Sequence, residues 1–158
     1  MSTVNDRANV RTLVGSGDKI AIFVVPFLVV GLALNIAFPS VFDVGGPSSA
    51  LRAVSIVILA IGVAIWLSSV YLVLTRVPRG ELITTGPYAL VRHPLYTSVS
   101  LLVLPWLGFL LNTWLGVVLG IAMYVGSRRH APEEDVALEA RFGTRWDDYR
   151  HSVRLPWL

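Results

Sequence analysis

Residues 95–127, LYTSVSLLVLPWLGFLLNTWLGVVLGIAMYVGS, carry no charged side chain over 33 positions. A helix rises ~1.5 Å per residue and the hydrocarbon core of a bilayer is ~30 Å thick, so about 20 apolar residues make one crossing. The run is too long for one ordinary crossing and slightly short for two ideal ones. Asn112 and Thr113 lie near its middle. That position predicts a helical hairpin with two arms of about 17 residues, the second lengthened by snorkelling Arg128 and Arg129. A single tilted helix followed by a re-entrant piece is the alternative.

The charges outside the run decide between the two. Upstream, residues 20–42 are free of charge for 23 positions and residues 53–74 for 22, each enough for one crossing. With crossings at 20–42, 53–74, 95–111 and 114–130, the basic residues Arg7, Arg11, Lys19, Arg76, Arg79, Arg92, Arg128, Arg129, Arg141, Arg145, Arg150 and Arg154 fall on one side and only Arg52 on the other. A single crossing in place of the hairpin would send the six C-terminal arginines to the opposite side and destroy that asymmetry. The positive-inside bias therefore predicts an all-α integral membrane protein of four helices, with both termini cytoplasmic and a short cytoplasmic C-terminal helix.

Composition agrees. Of 158 residues, 54% are hydrophobic and 15% charged, whereas soluble domains carry about a quarter charged residues; the mean hydropathy is +0.67. The length fits one domain spanning residues 1–158. No cysteine is present, which excludes disulfides, thiolate metal sites and a cysteine nucleophile. His93, His130 and His151 show no paired ligand spacing, so no protein-held metal is expected. The net charge of +3 does not signal a nucleic-acid partner, because the basic residues flank apolar runs instead of clustering on a solvated face.

Between the runs the chain is punctuated. Residues 1–18, with Gly15-Ser16-Gly17, read as a flexible lead. Pro26 is placed to kink the first helix, Pro39 to end it, and Gly45-Gly46-Pro47-Ser48 to turn the chain. Asn35 reads as interhelical glue, and Gly62, Ala64, Ser68 and Ser69 allow close helix approach. Past the hairpin, residues 132–142 read as a short helix with Pro132 in its first turn and Gly143 just beyond its end. Leu138 and Phe142 share one face of it. Trp146, Tyr149, Val153, Leu155, Pro156 and Trp157, interleaved with Arg145, Arg150 and Arg154, form a segment suited to the membrane interface.

Two polar groups stand out as candidate chemistry. The first is the island at residues 84–96, which holds Arg92-His93-Pro94. The residue before a proline is pushed to an extended conformation, and a proline starts helices well, so His93 is held at a helix entrance. The second is Glu133-Glu134-Asp135, three acids in an acid-poor chain that suit a cationic ligand group. Each has a plainer explanation: Arg92 satisfies the charge bias, the acids stabilise the first turn of a helix through its dipole, and Tyr88, Tyr96, Tyr149, Trp146 and Trp157 form an aromatic belt. No third glycine or preceding strand makes Gly15-Ser16-Gly17 a dinucleotide fingerprint. Walker loops, a serine nucleophile elbow and His-Glu-x-x-His are absent too.

In order along the chain, Gly86-Pro87-Tyr88, Val91-Arg92-His93-Pro94-x-Tyr96, Glu133-Glu134-Asp135-x-x-Leu138, Phe142-Gly143, Tyr149, Val153 and Pro156 resemble the integral-membrane methyltransferases that include isoprenylcysteine carboxyl methyltransferase and the phospholipid methyltransferases. The resemblance covers roughly the last 75 residues. It implies S-adenosyl-L-methionine as methyl donor, held by cytoplasmic segments at about residues 76–94 and 130–158. The acceptor it implies is a lipophilic or small membrane-partitioning molecule that accepts at a carboxylate, thiol or amine. Carried over by position, Tyr88, His93, Tyr96, Glu133, Glu134 and Tyr149 look like cofactor contacts, and Arg92, His93 and Glu134 like the residues of the reaction.

The family often has a longer acidic run. Here Pro132 and Asp135 bound it, which makes Glu134 the primary acid and Glu133 the secondary one. Membrane reductases of the sterol-reductase type, which use NADPH, carry a similar Tyr-x-x-x-Arg-His-Pro-x-Tyr segment but are longer proteins with more crossings. A non-catalytic adaptor binding anionic lipid is the third reading. The arginine bias points to a GC-rich bacterial genome and so to a bacterial inner membrane. The methyltransferase reading carries one geometric expectation: the side chains of His93 and Glu134 face a common cavity.

Overall fold

Proline and glycine placement divides the apolar runs into helices. A computed structural model describes residues 3–155, with side chains from residue 17 onward; no strand occurs among the described residues. Helix α1 (Thr3–Ala37) runs unbroken through Gly15-Ser16-Gly17, which corrects the expected flexible lead. A helical glycine costs about 1 kcal/mol relative to alanine without breaking the helix, and the first proline is Pro26. The crossing expected at 20–42 ends early. Pro39 excludes the residue before it from helical geometry, so Phe38 sits at φ −132°, ψ 63°, and Pro39–Phe42 forms a separate turn, α2. Helix α3 (Ser49–Arg76) exceeds the expected 53–74 at both ends; the Ser48 hydroxyl caps it, accepting from the Leu51 N–H at 3.2 Å.

The segment expected as a helix at 95–111 is composite: α4 (Pro94–Ser98), a π-helical turn (Val99–Val103) and α5 (Leu104–Leu110). Pro105 accounts for the wide turn, since its nitrogen has no hydrogen to donate to Leu101 and its ring displaces the carbonyl four residues back. Helix α6 (Leu115–Phe142) then merges the expected crossing at 114–130 with the expected separate tail helix. Pro132 lies in its interior, where it removes one hydrogen bond, and no turn-forming residue follows until Gly143. There the chain turns at φ 53°, ψ −129°, and the Gly143 N–H donates to the Glu139 carbonyl at 2.8 Å. Helix α7 (Thr144–Ser152) follows.

The helices touch at small residues. On Gly116 of α6 an added Cβ would lie 2.2 Å from the Leu104 carbonyl oxygen and 2.6 Å from Gly108 Cα, so α5 and α6 meet backbone to backbone. Gly62 of α3 meets Leu102 in the π-helical turn, where an added Cβ would lie 2.6 Å from the Leu102 Cβ. At the end of the molecule remote from the island, Thr113 donates to Asn35 Oδ1 at 2.8 Å, so Asn35 ties α1 to the turn between α5 and α6 and not to a second helix. Asn112, at φ 56°, donates to Asp43 at 2.7 Å and accepts from the Gly46 N–H at 2.9 Å.

Among the described residues two helical segments are long and apolar enough to cross a membrane, Gly17–Ala37 and Ser49–Arg79, and only 11% of the apolar stretch of each is buried in the protein. Large apolar side chains such as Ile22, Ile36, Val57, Leu74 and Ile121 point outward. A soluble protein would bury such helices, and an outward apolar surface of this kind associates with lipid. The tail behaves differently from its expected interfacial role. Trp146, Tyr149 and Val153 are buried and pack with Leu82, Tyr88, Leu138 and Phe142 as a small core beneath the island. Pro156 and Trp157 lie outside the described residues.

Candidate functional site

Local sequence fixes the island. Gly86 turns the chain at φ 64°, residues Gly86–Ala89 form one 3₁₀ turn, and Pro94 starts α4 with His93 before it at φ −122°, ψ 61°, outside both helical and fully extended geometry. The tail straps this loop in place: the Tyr149 hydroxyl donates to the Tyr88 carbonyl at 2.9 Å, and the Leu155 N–H to the Leu90 carbonyl at 2.9 Å.

Under the strap lies a cavity of about 110 Å³. His93 and Glu134 both line it, with His93 Nδ1 3.8 Å from a Glu134 carboxylate oxygen. Tyr88, Tyr96 and Tyr149 line it as well, so the aromatic residues enclose a pocket in place of forming a belt. The Tyr96 ring stacks on His93 at 6.2 Å, and α1 passes alongside its hydroxyl at Gly17. Val73, Leu95 and Leu138 supply apolar wall.

The three acids part company because successive helix positions are ~100° apart. Glu134 faces the cavity. Glu133, more than half exposed, pairs with Lys19 of α1 and does not line it; the Lys19 ammonium holds its carboxyl below the usual carboxylate range. Asp135 turns the other way and takes two partners, Arg92 Nη1 at 2.9 Å and His93 Nε2 at 3.0 Å. None of the three lies in a first helical turn, so the helix dipole does not account for them.

Arg92 and His93, which line the first cavity, also line a second of about 150 Å³ together with Asp135, Thr97, Tyr124 and Arg128. This cluster is thus the partition between two spaces. Asp135→Asn weakens both of its charge-assisted contacts at a site only 22% exposed. It is expected to cost ~2 kcal/mol, measured as a lower midpoint of thermal unfolding in detergent.

Burial pushes the Tyr88 phenol up from its ordinary 10.0, and the Glu134 charge adds to the effect. Tyr149 is raised from 10.0 by burial, with Arg92 opposing and Asp135 adding. The folded chain therefore holds both phenolic protons more tightly than the unfolded chain. That stability is intact below pH 10.0 and is lost as pH rises from there toward the folded values. Thermal unfolding followed from pH 9 to pH 11 is expected to show the loss, blunted in Tyr149→Phe.

Arg141 and Trp146 line the cavity although the family motifs do not mark them. Glu134, Leu138, Arg141 and Phe142 line the cavity at i, i+4, i+7 and i+8 of one continuous helix. That stripe lies wholly within the helix expected over residues 132–142 and follows there from helical spacing. No family model, curated protein or solved structure matches this chain.

Proposed function

We propose that the chain is an integral-membrane enzyme that transfers a methyl group from S-adenosyl-L-methionine to a lipophilic or small membrane-partitioning acceptor, in the manner of isoprenylcysteine carboxyl methyltransferase. The observation that carries the reading is the convergence of His93 and Glu134, from motifs far apart in sequence, on one aromatic-walled cavity. The reading includes four crossings, with α4–α5 and α6 as the third and fourth, both termini cytoplasmic, and a bacterial inner membrane.

The residues fit the donor. A cationic, adenosine-bearing ligand needs a carboxylate, aromatic faces and apolar wall, and the cavity offers Glu134, the three tyrosines, and Val73, Leu95 and Leu138. When bound, the donor supplies a methyl group on a sulfonium centre. Glu134 holds the positive charge, and the strapped island excludes water, so alignment carries most of the rate.

Asp135 fixes His93 and Arg92 at the partition between the cavities, which suits an acceptor reaching the site from the second space. A carboxylate or thiolate acceptor needs no strong base, and Arg92 orients it. With an amine acceptor, His93 takes the proton at Nδ1, its Nε2–H being donated to Asp135. The test is transfer of tritiated methyl from S-adenosylmethionine into a panel of bacterial lipid extract, prenyl-cysteine and small thiols. Label appearing with the unsubstituted chain and absent with Glu134→Gln supports the reading; no transfer to any panel member sinks it and leaves the adaptor reading.

A further inference from the structure

On residues of the cavity wall, Nη1 of Arg141 and Nε1 of Trp146 are buried nitrogen donors with no hydrogen-bond partner among the described residues. Trp146 is 1% exposed. A buried N–H left unbonded costs about 1–3 kcal/mol, and more on a charged group, so native interiors seldom keep one without a use. Neither side chain is loose. The Trp146 ring packs on Tyr149 at 5.4 Å between centroids, and the Arg141 guanidinium lies 5.5 Å from the Phe142 ring centroid. The turn at Gly80, φ 72°, closes against the other end of Arg141, where a Cβ would stand 3.2 Å from Nη2.

Arg141 follows Glu134 by two turns of α6, ~10 Å along the axis. The cavity thus has an acidic pole and a donor-rich basic pole on one helix. Glu81, the other acid lining it, is already paired with Arg76 at 2.7 Å. A ligand that carries a cationic centre and an anionic group a few bonds away satisfies both poles at once. We infer that Arg141 and Trp146 bind the α-carboxylate of the amino-acid part of the cofactor, opposite the cation held by Glu134. This rests on the methyltransferase reading of the same cavity.

The test is calorimetric titration of the full chain in detergent with two probes. S-adenosylhomocysteine carries the amino-acid carboxylate, and 5′-methylthioadenosine keeps the adenosine thioether without it. Trp146→Phe retains most of the ring and removes the N–H, and Arg141→Gln removes the charge. Each is expected to weaken S-adenosylhomocysteine about tenfold and to leave methylthioadenosine within about twofold.

Equal weakening of both probes, or undiminished S-adenosylhomocysteine binding, overturns the inference while leaving the methyltransferase reading intact. No binding of S-adenosylhomocysteine to the unsubstituted chain overturns both. If Trp146→Phe fails to fold, Arg141→Gln is judged by the same criterion.

Discussion

Glu134→Gln is expected to lower affinity for S-adenosylmethionine by about 10- to 150-fold, since hydrogen bonds and contacts to a charged partner contribute about 1.5–3 kcal/mol. The substitution keeps the shape of the side chain while removing the charge that faces the cavity. Its effect on folding is therefore small, and the unfolding midpoint in detergent is expected to stay within about 1 °C, as for substitutions that break no packing. S-adenosylhomocysteine, which lacks the sulfonium charge, is expected to lose less. Calorimetry with both ligands checks the ordering. Equal losses would mean that Glu134 acts by shape and not by charge.

Gly116→Val is expected to have the largest effect on stability. A Cβ there already overlaps the Leu104 carbonyl oxygen at 2.2 Å and Gly108 Cα at 2.6 Å. Both obstacles are backbone atoms, which no rotamer change can move. Overpacking of a core costs about 1–3 kcal/mol when side chains can give way, and backbone contacts exceed that range. Parting α5 from α6 would also displace the island, because α4 and α5 continue directly from His93. Size-exclusion profiles in detergent are expected to show loss of the monodisperse species. Val118→Leu, on an outward position of the same helix, is the control expected to behave as the unsubstituted chain.

The all-helical class and the outward apolar faces were legible because both follow from length and hydropathy, which need no tertiary information. The position of His93 was legible too, since proline restricts its predecessor in any context. Helix ends were less so. Pro132 reads as a helix start in isolation, yet α6 runs through it; one lost hydrogen bond does not outweigh the packing of the helix along its length. The same mistake made the acids look like dipole partners.

Glu133 and Glu134 are equivalent in composition, and only the phase of the helix separates the one paired with Lys19 from the one facing the cavity. Trp146 and Tyr149 show the limit from the other side. An aromatic residue near a membrane end reads as a lipid anchor, and its burial under Leu82 and Tyr88 depends on a strap between segments distant in sequence.

The account stands on one cavity serving a single cofactor, and calorimetric titration of the purified chain with S-adenosylhomocysteine tests that most directly. The predicted result is saturable binding at a stoichiometry near one per chain, weakened by His93→Ala and by Glu134→Ala. Absence of binding in several detergents and in lipid nanodiscs, with the chain folded and monodisperse, would contradict it.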